Sequence, residues 1–169
     1  TFAYLSPTNS IEYPPVIGLG NWLISFITPA ENAHRFFFDI NALLIIIFFF
    51  LSAVIVSRIK PEYQYLFPAA PAVIASLFIN WDMWAVISTL LAIYYFDKNK
   101  YEMSAIWLGV SIATKFFPLV LLLPIAVIFY RKRQIKTAMQ YLFTTFIIWG
   151  AINIPIALIY FDSWWRFFK

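Results

Sequence analysis

The chain has 169 residues, 63% of them hydrophobic and 12% charged, with a net charge of +4 and no cysteine. Soluble domains carry about a quarter charged residues and are roughly half apolar, so a water-soluble globule is excluded and an integral membrane protein is expected. The missing cysteines exclude disulfides and thiolate metal sites, and the basic residues gather on no soluble face, so no nucleic-acid partner is expected.

In chain order, residues 1–13 (TFAYLSPTNSIEY) are polar and turn-rich, with Pro7 and the Thr8–Ser10 cluster, and predict the end of a loop reaching residue 15. Val16–Thr28 is apolar but short for a span and carries Gly18, Gly20 and Asn21. It predicts an interfacial or re-entrant helix, with a tilted full span as the other reading. Phe36–Val56 is long enough to cross. Leu66–Ile79 is short and interrupted by Pro68 and Pro71, and Met83–Phe96 follows it. Met103–Tyr130 contains Lys115 and Pro118, and Ala138–Phe161 is the last apolar run. None of these runs alternates apolar with polar residues, so helices are expected rather than strands. The chain starts without an initiator Met and stops at WWRFFK, which predicts a piece of a longer protein.

Lys and Arg set the orientation. Arg58 and Lys60, then Lys98 and Lys100, then Arg131, Lys132, Arg133 and Lys136 mark three cytoplasmic loops. Between the first two the chain must go out and return, which puts Asn80–Asp82 (NWD) outside. Both ends of Met103–Tyr130 are then inside, so that run must cross twice. The break is expected at TKFFP, where Pro118 lacks an N–H and turns Phe117 away from helix, which makes Lys115 the outer tip of a helical hairpin. The expectation is an all-α, polytopic bundle of about six membrane-crossing helices over 36–161, with an interfacial helix at 16–28 and an outer loop from 162 to 169.

This topology sorts the charges. Glu12, Glu31, Asp39, Asp82, Asp162, His34, Arg35, Lys115, Arg166 and Lys169 fall at the outer side, and the inner RKRQIK cluster sets topology and meets anionic lipid. Met83–Phe96 and each arm of the hairpin are shorter than the hydrocarbon core is thick, about 30 Å. Their outer ends, NWD and TKFFP, should therefore lie in a recess shared by Asp82 and Lys115. An ionisable group at such depth costs roughly 2.5–3.5 kcal/mol and points to function. Plainer roles stand beside that one. Lys115 could snorkel or pair with an acid as structural glue, and Asp82 could cap the following helix. His34 and Arg35 could be ordinary loop residues, and Trp164–Trp165 could be an interfacial anchor or a sugar platform. GLG at 18–20 has neither the strand nor the third glycine of a nucleotide fingerprint.

EYPPVIGLGNW, NWDMWAV, GVSIATKFFPLVLLLP and NIPIALIYFDSWWRFF resemble, in that order, the GT-C superfamily of membrane glycosyltransferases, and within it glycosyltransferase family 87. The resemblance implies a polyprenyl-phosphate mannose donor, a lipid or glycan acceptor, and a bacterial plasma-membrane enzyme whose recessed site faces away from the cytosol. It also implies that Glu12, Tyr13, Pro14 and Pro15 shape the donor site and that Lys115 lies near the lipid-linked phosphate. Asn80 and Asp82 would line the sugar or acceptor pocket. In the superfamily the general base is usually an acid early in the first outer loop, which would precede Thr1, so Asp82 is the catalytic candidate within these residues. Trp81, Asp39 and Arg35 complete the substrate-binding candidates. No cofactor or metal is required. The alternative reading is a transporter or flippase for a lipid or small anion, because broken helices and a buried lysine also mark transport sites.

Overall fold

The computed structural model describes residues 2–5 and 11–168; Pro7, the Thr8–Ser10 cluster and Lys169 lie outside them. Every regular element among the described residues is helical. The helix α1 (Pro15–Phe26) starts on a proline at its first position, where the missing N–H has no intrahelical partner to lose, and it stops ahead of Pro29. It touches α2, α6 and α8, so it lies across the end of the bundle rather than alongside one helix. Asn32, in the left-handed conformation, precedes α2 (Ala33–Ile59), and Pro61 closes that helix off.

The next segment departs from the expectation. Leu66–Ile79 is not one helix but α3 (Leu66–Ala69) and α4 (Pro71–Ser76), each too short to cross a bilayer. Pro71 forces Ala70 into an extended conformation, and that breaks the run. The chain nevertheless returns along α2. Phe67 stacks on Phe49 with ring centroids 5.9 Å apart, and further on the Trp81 indole N–H donates to Asn41 Oδ1 at 2.9 Å.

Three helices make the core: α5 (Asp82–Asp97), α6 (Tyr101–Thr114) and α8 (Ile135–Ile159). Asn99, at positive φ, turns α5 into α6, and hydroxyls hold the antiparallel pair. Ser104 Oγ donates to Ala92 O at 2.7 Å and Ser111 Oγ to Ala85 O at 2.9 Å. Helices α6 and α8 run parallel, with Ser104 beside Tyr141 and Gly109 against Thr145. A Cβ at Gly109 would stand 2.6 Å from the Thr145 carbonyl oxygen, so the helix contact requires glycine there.

Met103–Tyr130 divides as well. Pro118 has no N–H to offer the Thr114 carbonyl, so α6 ends at Thr114 and Lys115 is extended. The break thus falls within TKFFP as expected, with Lys115 at the tip, and Phe117 opens a short 3₁₀ turn, Phe117–Leu121, ahead of α7 (Leu122–Arg131). Helix α7 descends until Phe129 meets Tyr101, with rings 5.0 Å apart. After α8 come α9 (Phe161–Trp165) and a final 3₁₀ turn, Arg166–Phe168.

The all-α expectation agrees with the structure, but the count of six spans is corrected. Among the described residues two helices, α2 and α8, are long and apolar enough to cross a membrane. The other expected crossings are shorter helices ended by Pro71, Pro118 or the Asn99 turn.

Candidate functional site

One end of the bundle gathers most of the polar candidates. Asn80 Oδ1 accepts the Asp82 backbone N–H at 3.0 Å, which fixes the turn into α5. Asp82 is therefore the first residue of the helix and not its cap, which is Trp81 and makes no side-chain capping bond. Its carboxylate is free to face across to α6, where the Lys115 ammonium ion-pairs with Oδ1. Both side chains are partly screened, the lysine 23% and the aspartate 39% exposed.

Aromatic rings frame the pair. Lys115 Nζ stands 5.7 Å from the centre of the Tyr13 ring, in cation–π range. Tyr13 in turn meets the Trp81 ring edge-on at 4.9 Å. The chain ahead of α1 is anchored by Tyr4, whose buried hydroxyl donates to Tyr13 O at 2.6 Å. Burial raises the Tyr4 phenol above its ordinary range, because the phenolate would lose its water there.

The far end of the chain closes the same region. Arg166 pairs with Glu12 at 2.6 Å, and Phe167 stacks on Phe116, next to Lys115, at 5.6 Å. Trp164 donates its indole N–H to Asn153 Oδ1 at 3.0 Å, inside the fold, which makes it a packing residue. Trp165 is more exposed and stacks on Phe161.

The structure thus brings together Glu12, Tyr13, Asn80, Trp81, Asp82 and Lys115. It does not bring in Arg35 and Asp39, which face each other one helical turn apart at 3.8 Å and are 86% and 60% exposed. Asn41 carries α2's share of the site instead. It is buried, and it orients Trp81 while its Nδ2 donates to Phe37 O at 2.9 Å. Sequence reasoning passed over it, although an asparagine inside an apolar span is itself a signal of a buried polar contact.

Two clefts flank the turn at residues 80–82. One, of about 260 Å³, lies between α2 and Phe78–Trp81, with Asn41 and Asn80 among its walls. The other, of about 190 Å³, lies between the broken α3–α4 segment and the start of α5, and Asp82 lines it. No group of three or more His, Cys, Asp or Glu side chains able to hold a metal ion occurs among the described residues.

No curated protein and no solved structure matches the chain. A family model described as Mannosyltransferase (PIG-M) matches residues 76–168, from the end of α4 through the last 3₁₀ turn, with Asn80, Asp82, Lys115 and Arg166 inside it. The match supports a mannosyltransferase without singling out family 87. Covering more than half of the chain, and including both members of the ion pair at the centre of the site, it shows that this chain belongs to the PIG-M mannosyltransferase family.

Proposed function

We propose that the chain transfers mannose from a polyprenyl-phosphate donor to a hydroxyl of a lipid or glycan acceptor, at the outer face of a bacterial plasma membrane. The family makes it a glycosyltransferase; the donor, the acceptor and the orientation are this proposal's own. The observation that carries it is the Asp82–Lys115 pair at the end of two short helices, inside the matched region.

In the transfer, an acceptor hydroxyl oxygen attacks the anomeric carbon and the bond from that carbon to the phosphate oxygen breaks. The phosphate leaves with the bonding electrons, and the hydroxyl proton passes to a carboxylate. Charge grows on the departing phosphate, and a fixed ammonium in a poorly hydrated recess stabilises it more than water would. Lys115 is the cation for that role, and Asp82 is the carboxylate the fold sets beside it. Asn80, Trp81, Tyr13 and Glu12 would shape the sugar and donor pocket. Arg35 and Asp39, exposed and paired with each other, have no part in it. The short helices over residues 61–131 would hold this end below the outer surface, with the prenyl tail in lipid while its head enters. The basic turns at Lys98–Lys100 and Arg131–Lys136 face the cytosol.

The decisive experiment replaces Lys115 with Met or Ala in the full-length protein and follows mannose transfer from the lipid donor. The expected result is a loss of about a hundredfold or more in rate with the fold retained, comparable to removing one group that stabilises transition-state charge. Undiminished transfer by a folded variant would remove the phosphate role.

A further inference from the structure

We propose that the cleft between the broken α3–α4 segment and the start of α5 holds the first isoprene units of the donor, and that the donor phosphate displaces Asp82 from Lys115 as it arrives. This rests on the donor class proposed above.

The cleft has the chemistry of an amphiphile's site. Phe67, Val73, Leu77, Met83, Val86 and Phe117 give it apolar walls, and Asp82 is the one charged side chain among its lining residues. That carboxylate is bonded to Lys115, two residues before Phe117, so the cleft runs to the cation. Apolar walls that end on an ammonium complement a prenyl tail that ends on a phosphate. The neighbouring cleft lacks this. Its lining carries no charge, and its asparagines already bond to Trp81, to the Phe37 carbonyl and to the Asp82 N–H.

The backbone supports the same choice. In hydrocarbon, a helix broken into pieces of four and six residues leaves amide groups without partners, and such breaks are tolerated where they line a cavity. Phe67 of α3 and Val73 and Ser76 of α4, on the two sides of that break, line this cleft.

The head end follows from the ion pair. Lys115 offers its ammonium to Asp82 Oδ1 and to the face of Tyr13. An arriving phosphate competes with the carboxylate for that ammonium, and displacement releases the carboxylate toward the acceptor. The pair is the resting state of the site, and donor binding comes before acceptor activation.

The test uses the full-length protein in lipid nanodiscs with dimethylallyl, geranyl and farnesyl phosphate as probes. Wild-type affinity is expected to rise at least about tenfold from the shortest probe to the longest, as buried methylenes accumulate. Filling the cleft by Val86→Phe, or separately by Leu77→Phe, is expected to abolish that gain. Asp82→Asn is expected to tighten all three about threefold or more, because the lysine no longer has a competitor. If both filled variants keep the chain-length gain, the tail lies elsewhere and the cleft assignment falls, even where mannose transfer from a polyprenyl donor is intact. Weaker binding by Asp82→Asn overturns the displacement. If no probe binds wild type and Lys115→Met changes nothing, the donor reading itself has failed.

Discussion

Tyr4 shows what a single buried side chain does for the site. Its hydroxyl is the tie between the chain's start and the backbone of Tyr13, whose ring lies beside Lys115. Because burial raises its phenol above the ordinary value of 10.0, the folded protein keeps the neutral form where an unfolded chain would ionise. The stabilisation is therefore complete below about pH 10 and is lost as pH rises beyond it. Tyr4→Phe should lower stability near neutral pH by about 1 kcal/mol, the value of one hydrogen bond. It should also show a smaller fall in Tm than wild type between about pH 8 and 11. An equal fall in both proteins would place the alkaline sensitivity on other tyrosines. Sequence alone had no access to this tie, because a tyrosine in a polar loop gives no sign of being enclosed. Asp39 and Asn41 teach the converse. Two residues apart on a helix, they are separated by about 200° around its axis. Counting charges pointed to Asp39, whereas helical phase puts Asn41 inside and Asp39 in the open.

Among the elements, α6 is the one on which the site depends. One side is fixed to α5 by hydroxyls and another to α8 by Gly109, and its end aims Lys115. Gly109→Ala places a methyl against the Thr145 carbonyl, which belongs to the backbone and has little room to give. A loss of about 1–3 kcal/mol is expected, read by thermal unfolding in detergent. Gly150→Ala is the control, because its new Cβ would meet only the far end of Ile154 at 3.2 Å. Equal effects at both positions would mean that helix propensity, not the α6–α8 approach, sets the cost. The division of Met103–Tyr130 was legible in the sequence because Pro118 and the basic residues at both ends required it. Its place was legible too, since TKFFP begins at Thr114, where the missing proline N–H ends the helix; the 3₁₀ turn over Phe117–Leu121 was not. The break in Leu66–Ile79 was legible in Pro68 and Pro71; what failed was counting the run as a crossing, since its two pieces hold only four and six residues.

For the molecule as a whole, the ends differ in kind. One carries the Asp82–Lys115 and Glu12–Arg166 pairs, and the other the turns at Asn99 and Arg133 with their basic neighbours. None of these 169 residues is a cysteine, so a reporter placed among them has no neighbouring thiol to compete with it. A reporter at Asn99 should react only with a reagent admitted to the cytosol, and one at Glu31 with an impermeant reagent applied outside. Both reacting from one side would sink the proposed topology. The whole-molecule expectation held at the level of class and failed in detail. An apolar, helix-forming chain announces an all-α membrane protein, but the number of full-length spans depends on where helices end, and prolines and tight turns end most of these early.

Those early endings also act on the surrounding lipid. At 1.5 Å per residue, α2 and α8 are about 40 and 37 Å long, whereas α5 and α6 are about 24 and 21 Å. A bilayer about 30 Å thick matches neither set. Lipid meeting the long helices must tilt them or swell, and lipid near the short ones must thin. With the chain placed in the membrane as proposed, this mismatch would set up a thickness gradient around it, thinnest where the short helices reach lipid. A donor with the prenyl tail proposed above would have the least distance to climb on that side, so membrane deformation itself would help bring it to the site.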